Sequence, residues 1–283
     1  MSLNSVNTNL NAMVALQSLN LTNTQLAATQ KQISTGYRVA DATDDGAAYA
    51  VAQRVRSDVS SLTSANQQLG GVQGLLSTTS SALNDVSTLM TSMRNVLVSL
   101  ANGNTSGTQR TQYTSQYNSL LANVKSDIQN ASYNGKTLIG NITGSSGTFS
   151  RVAVTTNETG STYGIATFGG SAMFTKLSLG ATTLASATLS AAAITATGAF
   201  MSQLNSLGTQ MNTYGNATNY INNQVNYNSD KINAMNSGLG ALVDANLAQE
   251  SAMLQSLQIR QQLGTQALSL ANQAPQTLLS LFK

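Results

Sequence analysis

The chain has 283 residues, of which only 8% are charged, and its net charge is +3. Its thirteen Lys and Arg are scattered and do not alternate with aromatic residues, which argues against nucleic-acid binding. His and Cys are both absent, which excludes imidazole and thiol catalysis, disulfides and the usual zinc sites.

The N-terminal segment predicts a long amphipathic helix. Its apolar residues follow the three- and four-residue steps that are typical of a coiled-coil seam. They are Leu3, Val6, Leu10, Met13, Leu16, Leu19, Leu26 and Ile33. The start of the chain lacks a basic segment followed by an apolar run, so we expect no cleaved signal peptide. No apolar stretch is long enough to predict a membrane span.

A joint is predicted between this helix and the next. Gly36 is the expected end of the first helix. Thr43, Asp44 and Asp45 are the expected cap and acidic first turn of the second. The alternative for Asp41, Asp44 and Asp45 is a calcium or general-acid site. Because the spacing lacks the Gly and the distal Glu of a calcium loop, we favour capping and predict no metal or cofactor.

The second and third helices are predicted from continued helical spacing of apolar residues. Gly70, Gly71 and Gly74 weaken the second helix without breaking it, and they lack the Lys and the preceding strand of a phosphate loop. A turn at 102–107 leads into the third helix. We expect this helix to end at the Asn134–Gly135 turn.

The middle of the chain predicts short strands in hairpins. Val152 and Val154 alternate with small polar residues, as do Leu177 and Leu179. Residues 180–196 are rich in Ala, Thr and Ser, and fit a loop or the start of a helix equally well.

Helical spacing returns near Phe200, and Gly238 and Gly240 are the predicted joint before a last helix. The last helix carries a second apolar stripe. Its members are Val243, Leu247, Leu254, Leu257, Leu263, Leu268, Leu270 and Leu281. A narrow stripe at each terminus cannot be buried by one helix, so the two ends need each other or other copies of the chain. The pattern favours a mainly α, self-assembling structural subunit.

Several motifs, in order, resemble those of bacterial flagellins. They are Asn4–Asn9, Ile33–Val39, Ala40–Ala47, Ala101–Gly103, Tyr133–Leu138, Leu242–Ser251, Gln262–Gln276 and Leu278–Lys283. The resemblance covers about residues 2–140 and 200–283. Residues 141–199 carry no family motif, as expected for a variable region.

The resemblance implies a helical coiled-coil rod made from both termini, with a small β-hairpin region in the middle. Residues 1–45 and 240–283 would form an inner coiled-coil domain. Residues 46–140 and 197–239 would form a helical rod domain, and 141–196 a variable region. The two apolar stripes would then pack between subunits.

The resemblance also implies a cellular role. Flagellins are exported unfolded by the flagellar type III apparatus and polymerise at the filament tip, outside the cell. The implied partners are other copies of the chain, the flagellar cap, the hook-junction proteins, an export chaperone and the export apparatus. We expect no nucleic-acid partner and no insertion into a membrane.

One surface departs from the family pattern. Many flagellins carry two Arg and, on the next helix, a Glu that are sensed by the flagellin receptor of animal innate immunity. The aligned positions here are Ser92, Arg94 and Gln116, so only one Arg is kept. Because a guanidinium supplies several directional bonds at an interface, the resemblance predicts weak receptor activation.

Two other functions remain open from the sequence. A hook–filament junction protein shares the terminal helices, although the closing motif favours a filament subunit. A surface adhesin could bind glycans through residues 141–199. An enzyme is the third class, and no catalytic constellation supports it.

Overall fold

The structure is a computed structural model that describes residues 8–281, with their side chains as far as residue 273. The mainly α prediction is confirmed. The described helices and strands are α1 (Leu10–Thr35), α2 (Gly46–Ala101), α3 (Gly107–Asn130), β1 (Lys136–Thr137), β2 (Thr148–Phe149), β3 (Val152–Thr155), β4 (Thr162–Ile165), α4 (Gly170–Leu177), α5 (Ala181–Ala185), α6 (Ala187–Ala193), α7 (Ala199–Val243) and α8 (Leu247–Leu281).

The chain divides into two compact units. The terminal unit consists of the described residues of Met1–Asp58 and Asn233–Lys283, and the central unit is Val59–Ile232. The three-domain division predicted above is a different partition, and it stays a prediction.

The terminal unit contains α1 and α8, which pack against each other. Helix α1 begins at Leu10 because the side chain of Asn9 accepts a hydrogen bond from the N–H of Ala12, at 3.1 Å. It ends at Gly36, whose φ of 73° is readily adopted by glycine.

The central unit has the larger hydrophobic core, to which α2, α3 and α7 all contribute. Two of its largest buried side chains are tyrosines with satisfied hydroxyls. Tyr117 donates to the carbonyl of Leu177 at 2.6 Å, and Tyr214 donates to the carbonyl of Leu138 at 3.2 Å. Burial raises the pKa of both phenols, so they remain neutral donors.

Two small sheets lie in the central unit. Strands β3 and β4 are antiparallel, with Val152 opposite Ile165, whereas β1 and β2 are parallel. Asn134 and Gly135 have φ values of 48° and 72°, which fit the two-residue turn that the sequence indicates there. Tyr133 and Lys136, on either side, exchange hydrogen bonds of 2.9 and 3.0 Å.

Three predicted boundaries are wrong. Helix α3 ends at Asn130, four residues before the turn, where the N–H of Ser146 bonds to the carbonyl of Gln129. Leu177 lies in α4 rather than in a strand, because Gly170, Met173 and Leu177 bury one helical face. The segment 180–196, which the sequence leaves open between a loop and the start of a helix, is not one of these three, and it contains two short helices, α5 and α6.

The third wrong boundary is the joint at Gly238 and Gly240, since α7 continues to Val243. At this point the carbonyl of Val243 accepts hydrogen bonds from the N–H groups of Arg38 and Val39, at 2.7 and 3.3 Å. These tertiary bonds replace helical ones, and the break follows at residues 244–246.

Candidate assembly surface and joint

Helices α1 and α8 form an antiparallel pair. Asn9 Nδ2 donates to the carbonyl of Ala271 at 2.7 Å, and Gln261 Nε2 donates to Asn23 Oδ1 at 2.8 Å. Residue numbers therefore increase along α1 in the direction in which they decrease along α8. Leu19 lies against Gly264, where an added Cβ would come within 3.2 Å of its Cδ1.

The contact face of this pair uses part of each predicted stripe. Leu19 is half-buried, and Leu26 and Ile33 follow it at seven-residue steps on the same face of α1. On α8, Leu257 is buried, and Leu254 and Leu268 are half-buried. The structure thus uses these residues within one chain. Their predicted role in contacts between copies stays a prediction, because the sequence period does not distinguish contacts within a chain from contacts between chains.

Other members of the stripes point away from this contact. Met13 is 59% exposed, Leu263 is 59% exposed and Leu270 is 66% exposed. Leu10, Leu16 and Leu247 are also exposed. An exposed apolar side chain costs little by itself, but a row of them marks a surface that another protein covers.

Four further exposed apolar residues lie on these helices outside the predicted stripes. They are Val14, Leu21, Met253 and Ile259. On α1, Met13, Leu16 and Leu21 line a surface groove of about 350 Å³ together with three polar residues. At 100° per residue, Val14 and Leu21 lie roughly opposite Leu19 and Leu26, so α1 is apolar on two faces. The prediction of one apolar stripe on each helix does not include this second face.

Three of the predicted contact residues lie where the structure gives no account of them. Leu3 and Val6 precede the described residues, and the side chain of Leu281 lies beyond residue 273.

The joint after Gly36 is held by backbone pairing with the end of α7. The N–H of Ala245 donates to the carbonyl of Gly36 at 2.9 Å, and Tyr37 and Asp244 form an antiparallel bridge. Arg38 Nη2 donates to the carbonyl of Leu242 at 2.5 Å. Segments about 200 residues apart in sequence are thereby fixed to each other within the terminal unit.

A small buried cluster supports this pairing. It consists of Val39, Ala48, Ala52 and Val243. Val243 was predicted to contact other copies, and this is corrected by its burial inside the chain, at 1% exposure. Arg56 also places its guanidinium 5.6 Å from the ring centre of Tyr37, a cation–π contact.

Of the three residues predicted as the cap and first turn of α2, only Asp45 caps the helix. Helix α2 begins at Gly46, and Asp45 Oδ1 accepts the N–H groups of Ala47 and Ala48 at 3.1 and 3.0 Å. Asp45 is therefore the cap. Thr43 and Asp44 are not, because they lie too early to reach the free N–H groups of the first turn.

Asp41 and Asp44 instead bind Lys31, whose Nζ lies 2.7 Å from Asp41 and 2.8 Å from Asp44. The hydrogen bonds from Lys31 hold the pKa of both carboxyls below its ordinary value, and Thr43 and backbone N–H groups add to the effect. The same bonds raise the pKa of Lys31. The cluster is thus organised around a lysine of this chain.

The receptor-equivalent positions lie in the central unit. Ser92 of α2 and Gln116 of α3 line one surface groove of about 340 Å³. Arg94 is exposed and is not part of that lining. The one guanidinium kept from the family pattern therefore lies outside the groove that the other two positions share.

Two family profiles match most of the chain. "Bacterial flagellin N-terminal helical region" matches residues 6–143, and "Bacterial flagellin C-terminal helical region" matches residues 194–282. The chain belongs to the bacterial flagellin family. Between the two matched regions lie β2 to β4 and α4 to α6, the part for which the sequence shows no flagellin motif.

Full-length relatives agree with this assignment. The chain is 31% identical over 283 residues to flagellin FljK of Caulobacter vibrioides, covering 100% of both chains. It is 33% identical over 285 residues to a flagellin of Brucella melitensis, covering 99% of both. This flagellin therefore has the same extent as these relatives.

Membership of the family confirms the predicted function. This flagellin is a structural subunit of the extracellular flagellar filament, which serves motility, and it is not an enzyme. Its partners include other copies of itself. Across residues 8–281, no helix combines the length and apolar character needed to cross a membrane.

Proposed function

We propose that the outward faces of α1 and α8 are the surface through which copies of this flagellin contact one another in the filament. The observation that carries this proposal is the row of exposed apolar residues opposite the α1–α8 contact, with Met13, Leu263 and Leu270 as its clearest members. Covering them in a neighbouring copy would remove apolar surface from water, which favours association.

The test is polymerisation of a variant that makes this face polar. Ile259 and Leu263 lie one turn apart on α8 and are both 59% exposed. We expect the double variant Ile259→Asn, Leu263→Asn to raise the critical concentration for polymerisation by about tenfold or more, because each substitution removes a large aliphatic side chain that a neighbouring copy would bury. Gln258→Asn, at an exposed polar site of the same helix, is the control. Unchanged polymerisation of the double variant would contradict the proposal.

We also propose that residues 1–45 and 240–283, which include α1 and α8, form the inner coiled-coil part of the filament. The α1–α8 pairing supports this proposal, because it joins the two ends that the family places together. Deleting residues 1–40 or 243–283 should abolish filaments while the central unit stays folded. A truncated protein that polymerises on seeds would exclude this assignment.

The remaining partners follow from family membership and are part of the proposal. They are the flagellar cap, the hook-junction proteins, an export chaperone and the type III export apparatus. Export as an unfolded chain is supported by the absence of cysteine and by a single proline, Pro275. Secretion from a strain lacking the export apparatus should stop, and secretion that continues would contradict this route.

We propose, finally, that this flagellin activates the animal flagellin receptor weakly. Ser92 and Gln116 present neutral side chains at the groove where activating flagellins place an Arg and a Glu. Ser92→Arg with Gln116→Glu should raise signalling in a reporter-cell assay, whereas the unaltered protein stays near background. A response of the unaltered protein as strong as that of an enterobacterial flagellin would disprove this.

A further inference from the structure

Helix α7 exposes an aromatic face in the central unit. From Ala199 to Ser229 the helix contains no Asp, Glu, Lys or Arg. On this stretch Tyr220 is 41% exposed and Tyr227 is 61% exposed. Being seven residues apart, they lie on the same face, about 10.5 Å from each other along the helix.

A third tyrosine extends this face from the neighbouring hairpin. Tyr163 of β4 stacks on Tyr220, with ring centres 4.2 Å apart and an interplanar angle of 24°. The turn between β3 and β4 is fixed to α7 by polar contacts. Asn228 Nδ2 donates to the carbonyl of Thr156 at 2.9 Å, and Lys231 pairs with Glu158 at 2.5 Å. The rings of Tyr163 and Tyr220 are therefore held in position before any ligand binds, which lowers the entropy cost of binding.

Polar groups border the rings. Asn223 is exposed between the two tyrosines of α7, and Asp230 is exposed one turn beyond Tyr227. No hydrogen bond or ion pair engages either side chain within the described residues. An amide and a carboxylate together offer donors and acceptors to hydroxyl groups.

We propose that this tyrosine platform, made of Tyr163, Tyr220, Tyr227, Asn223 and Asp230, binds a neutral polysaccharide with extended β-1,4-linked hexose rings. The C–H face of a hexose ring packs on an aromatic face, while its hydroxyls bond to amide and carboxylate groups. In an extended β-1,4 chain every second ring turns the same face to one side, at a repeat close to the spacing of the two tyrosines.

The composition of the face argues against other occupants. None of its five residues is basic, and the neighbouring Lys231 is paired with Glu158. This argues against nucleic acid and anionic lipid, because both need cations. A second copy of the chain is disfavoured because Tyr220 and Tyr227 are the only large apolar side chains exposed on the part of α7 in the central unit, and they are not accompanied by aliphatic ones. Protein interfaces have a broader apolar core.

The experiment titrates the full-length monomer with cellohexaose and follows intrinsic fluorescence, which comes from tyrosine alone because the chain has no Trp. Retardation in native gels that contain hydroxyethyl cellulose is the second readout, with dextran, an α-linked glucan, as the comparison. We expect binding to the β-linked probes but not to dextran. Tyr220→Ala and Tyr227→Ala should each weaken it about tenfold, and Tyr227→Phe should keep most of it.

Tyr37→Ala is the matched control, since Tyr37 is similarly exposed but lies in the terminal unit. Circular dichroism establishes that each variant is folded. Absence of binding to both β-linked probes, or equal binding by the Tyr220→Ala, Tyr227→Ala double variant, would overturn the proposal. The proposal would also be overturned if the double variant failed to polymerise while the unaltered protein bound no polysaccharide, because the face would then lie between copies.

Discussion

Asp41, Asp44 and Asp45 lie within five residues of one another but make different contacts. Asp45 caps α2, whereas Asp41 and Asp44 bind Lys31. The difference comes from position, because only Asp45 immediately precedes the helix and can reach its free N–H groups. Calcium should have no effect on the joint, and a shift of several degrees in melting temperature on chelation would favour a metal site instead.

The cap gives the first prediction. Asp45→Ala should lower the free energy of unfolding by about 1 kcal/mol, because two N–H groups at the start of α2 lose their acceptor. Asp45→Ser should lose less, since a hydroxyl can also cap. Asp58→Ala, inside α2 and away from its start, is the control for loss of charge. Denaturation curves for the three variants measure this, and equal losses from Asp45→Ala and Asp58→Ala would show that the cap contributes nothing.

The ion pairs of Lys31 give a prediction for pH. The pKa values of Asp41 and Asp44 are lowered in the folded state, so their stabilisation is complete above the ordinary Asp pKa of about 3.9 and is lost as pH falls below it. The raised pKa of Lys31 has the opposite sign, and its contribution is lost only as pH rises through that value. The joint is therefore expected to loosen in acid and in strong base.

Hydrogen exchange of residues 36–45 across this pH range measures the effect. Asp41→Asn with Asp44→Asn should remove most of the acid dependence, while Asp58→Asn should leave it unchanged. An acid dependence equal to that of the unaltered protein in the double variant would assign the effect to other groups.

Helix α2 passes through three glycines without a break, and these glycines have different surroundings. A Cβ added at Gly70 would meet nothing within 4 Å, whereas one at Gly74 would come within 2.6 Å of the ring of Tyr133. The ring packs closely against the helix only because Gly74 has no side chain. At Gly70, no neighbouring side chain in the described structure uses the space left by the missing Cβ, so nothing offsets the low helix propensity of glycine.

A matched pair of substitutions follows for this element. Gly70→Ala should raise the free energy of unfolding by roughly 0.5–1 kcal/mol, because alanine favours a helix over glycine. Gly74→Ala should lose this gain, since the Tyr133 ring has to move away. Combining Gly74→Ala with Tyr133→Ala should recover part of the helix gain. Chemical denaturation compares the four proteins, and equal stabilisation by both single substitutions would contradict the packing argument.

The whole molecule combines a well-buried central unit with a terminal unit whose helices remain partly exposed. Leu83, Met90, Leu97 and Leu100 of α2 are fully buried, whereas α1 buries only Thr29 among its described residues. Ordering the backbone costs about 1–2 kcal/mol per residue, and a half-covered helix pair offsets this poorly. We therefore expect the terminal helices to depend on neighbouring copies for their stability.

Hydrogen exchange in the free monomer tests this difference. We expect fast exchange in α1 and α8 and slow exchange in residues 83–100, with protection of α1 and α8 rising on polymerisation. Because both regions are measured in the same sample, residues 83–100 serve as the control for exchange conditions. Strong protection of residues 10–30 in the monomer would show that the pair is stable by itself.

The sequence by itself determined the helical character of the termini, the turn at Asn134–Gly135 and the flagellin assignment. These features depend on the local hydrophobic period, the turn residues and the order of the motifs, all of which are properties of the sequence alone. Sequence also placed Gly36 at the end of α1, because only residues tolerant of positive φ fit there.

Tertiary structure decided the rest. Three features depend on residues about 200 positions away in the sequence. They are the end of α7 at Val243, the burial of Val243 beside Val39, and the division of each apolar stripe into a contact face and an outward face. The helix at 170–177 is likewise set by the core against which Met173 and Leu177 pack. A periodic pattern indicates that a face is apolar, but only the tertiary structure shows which residues cover that face.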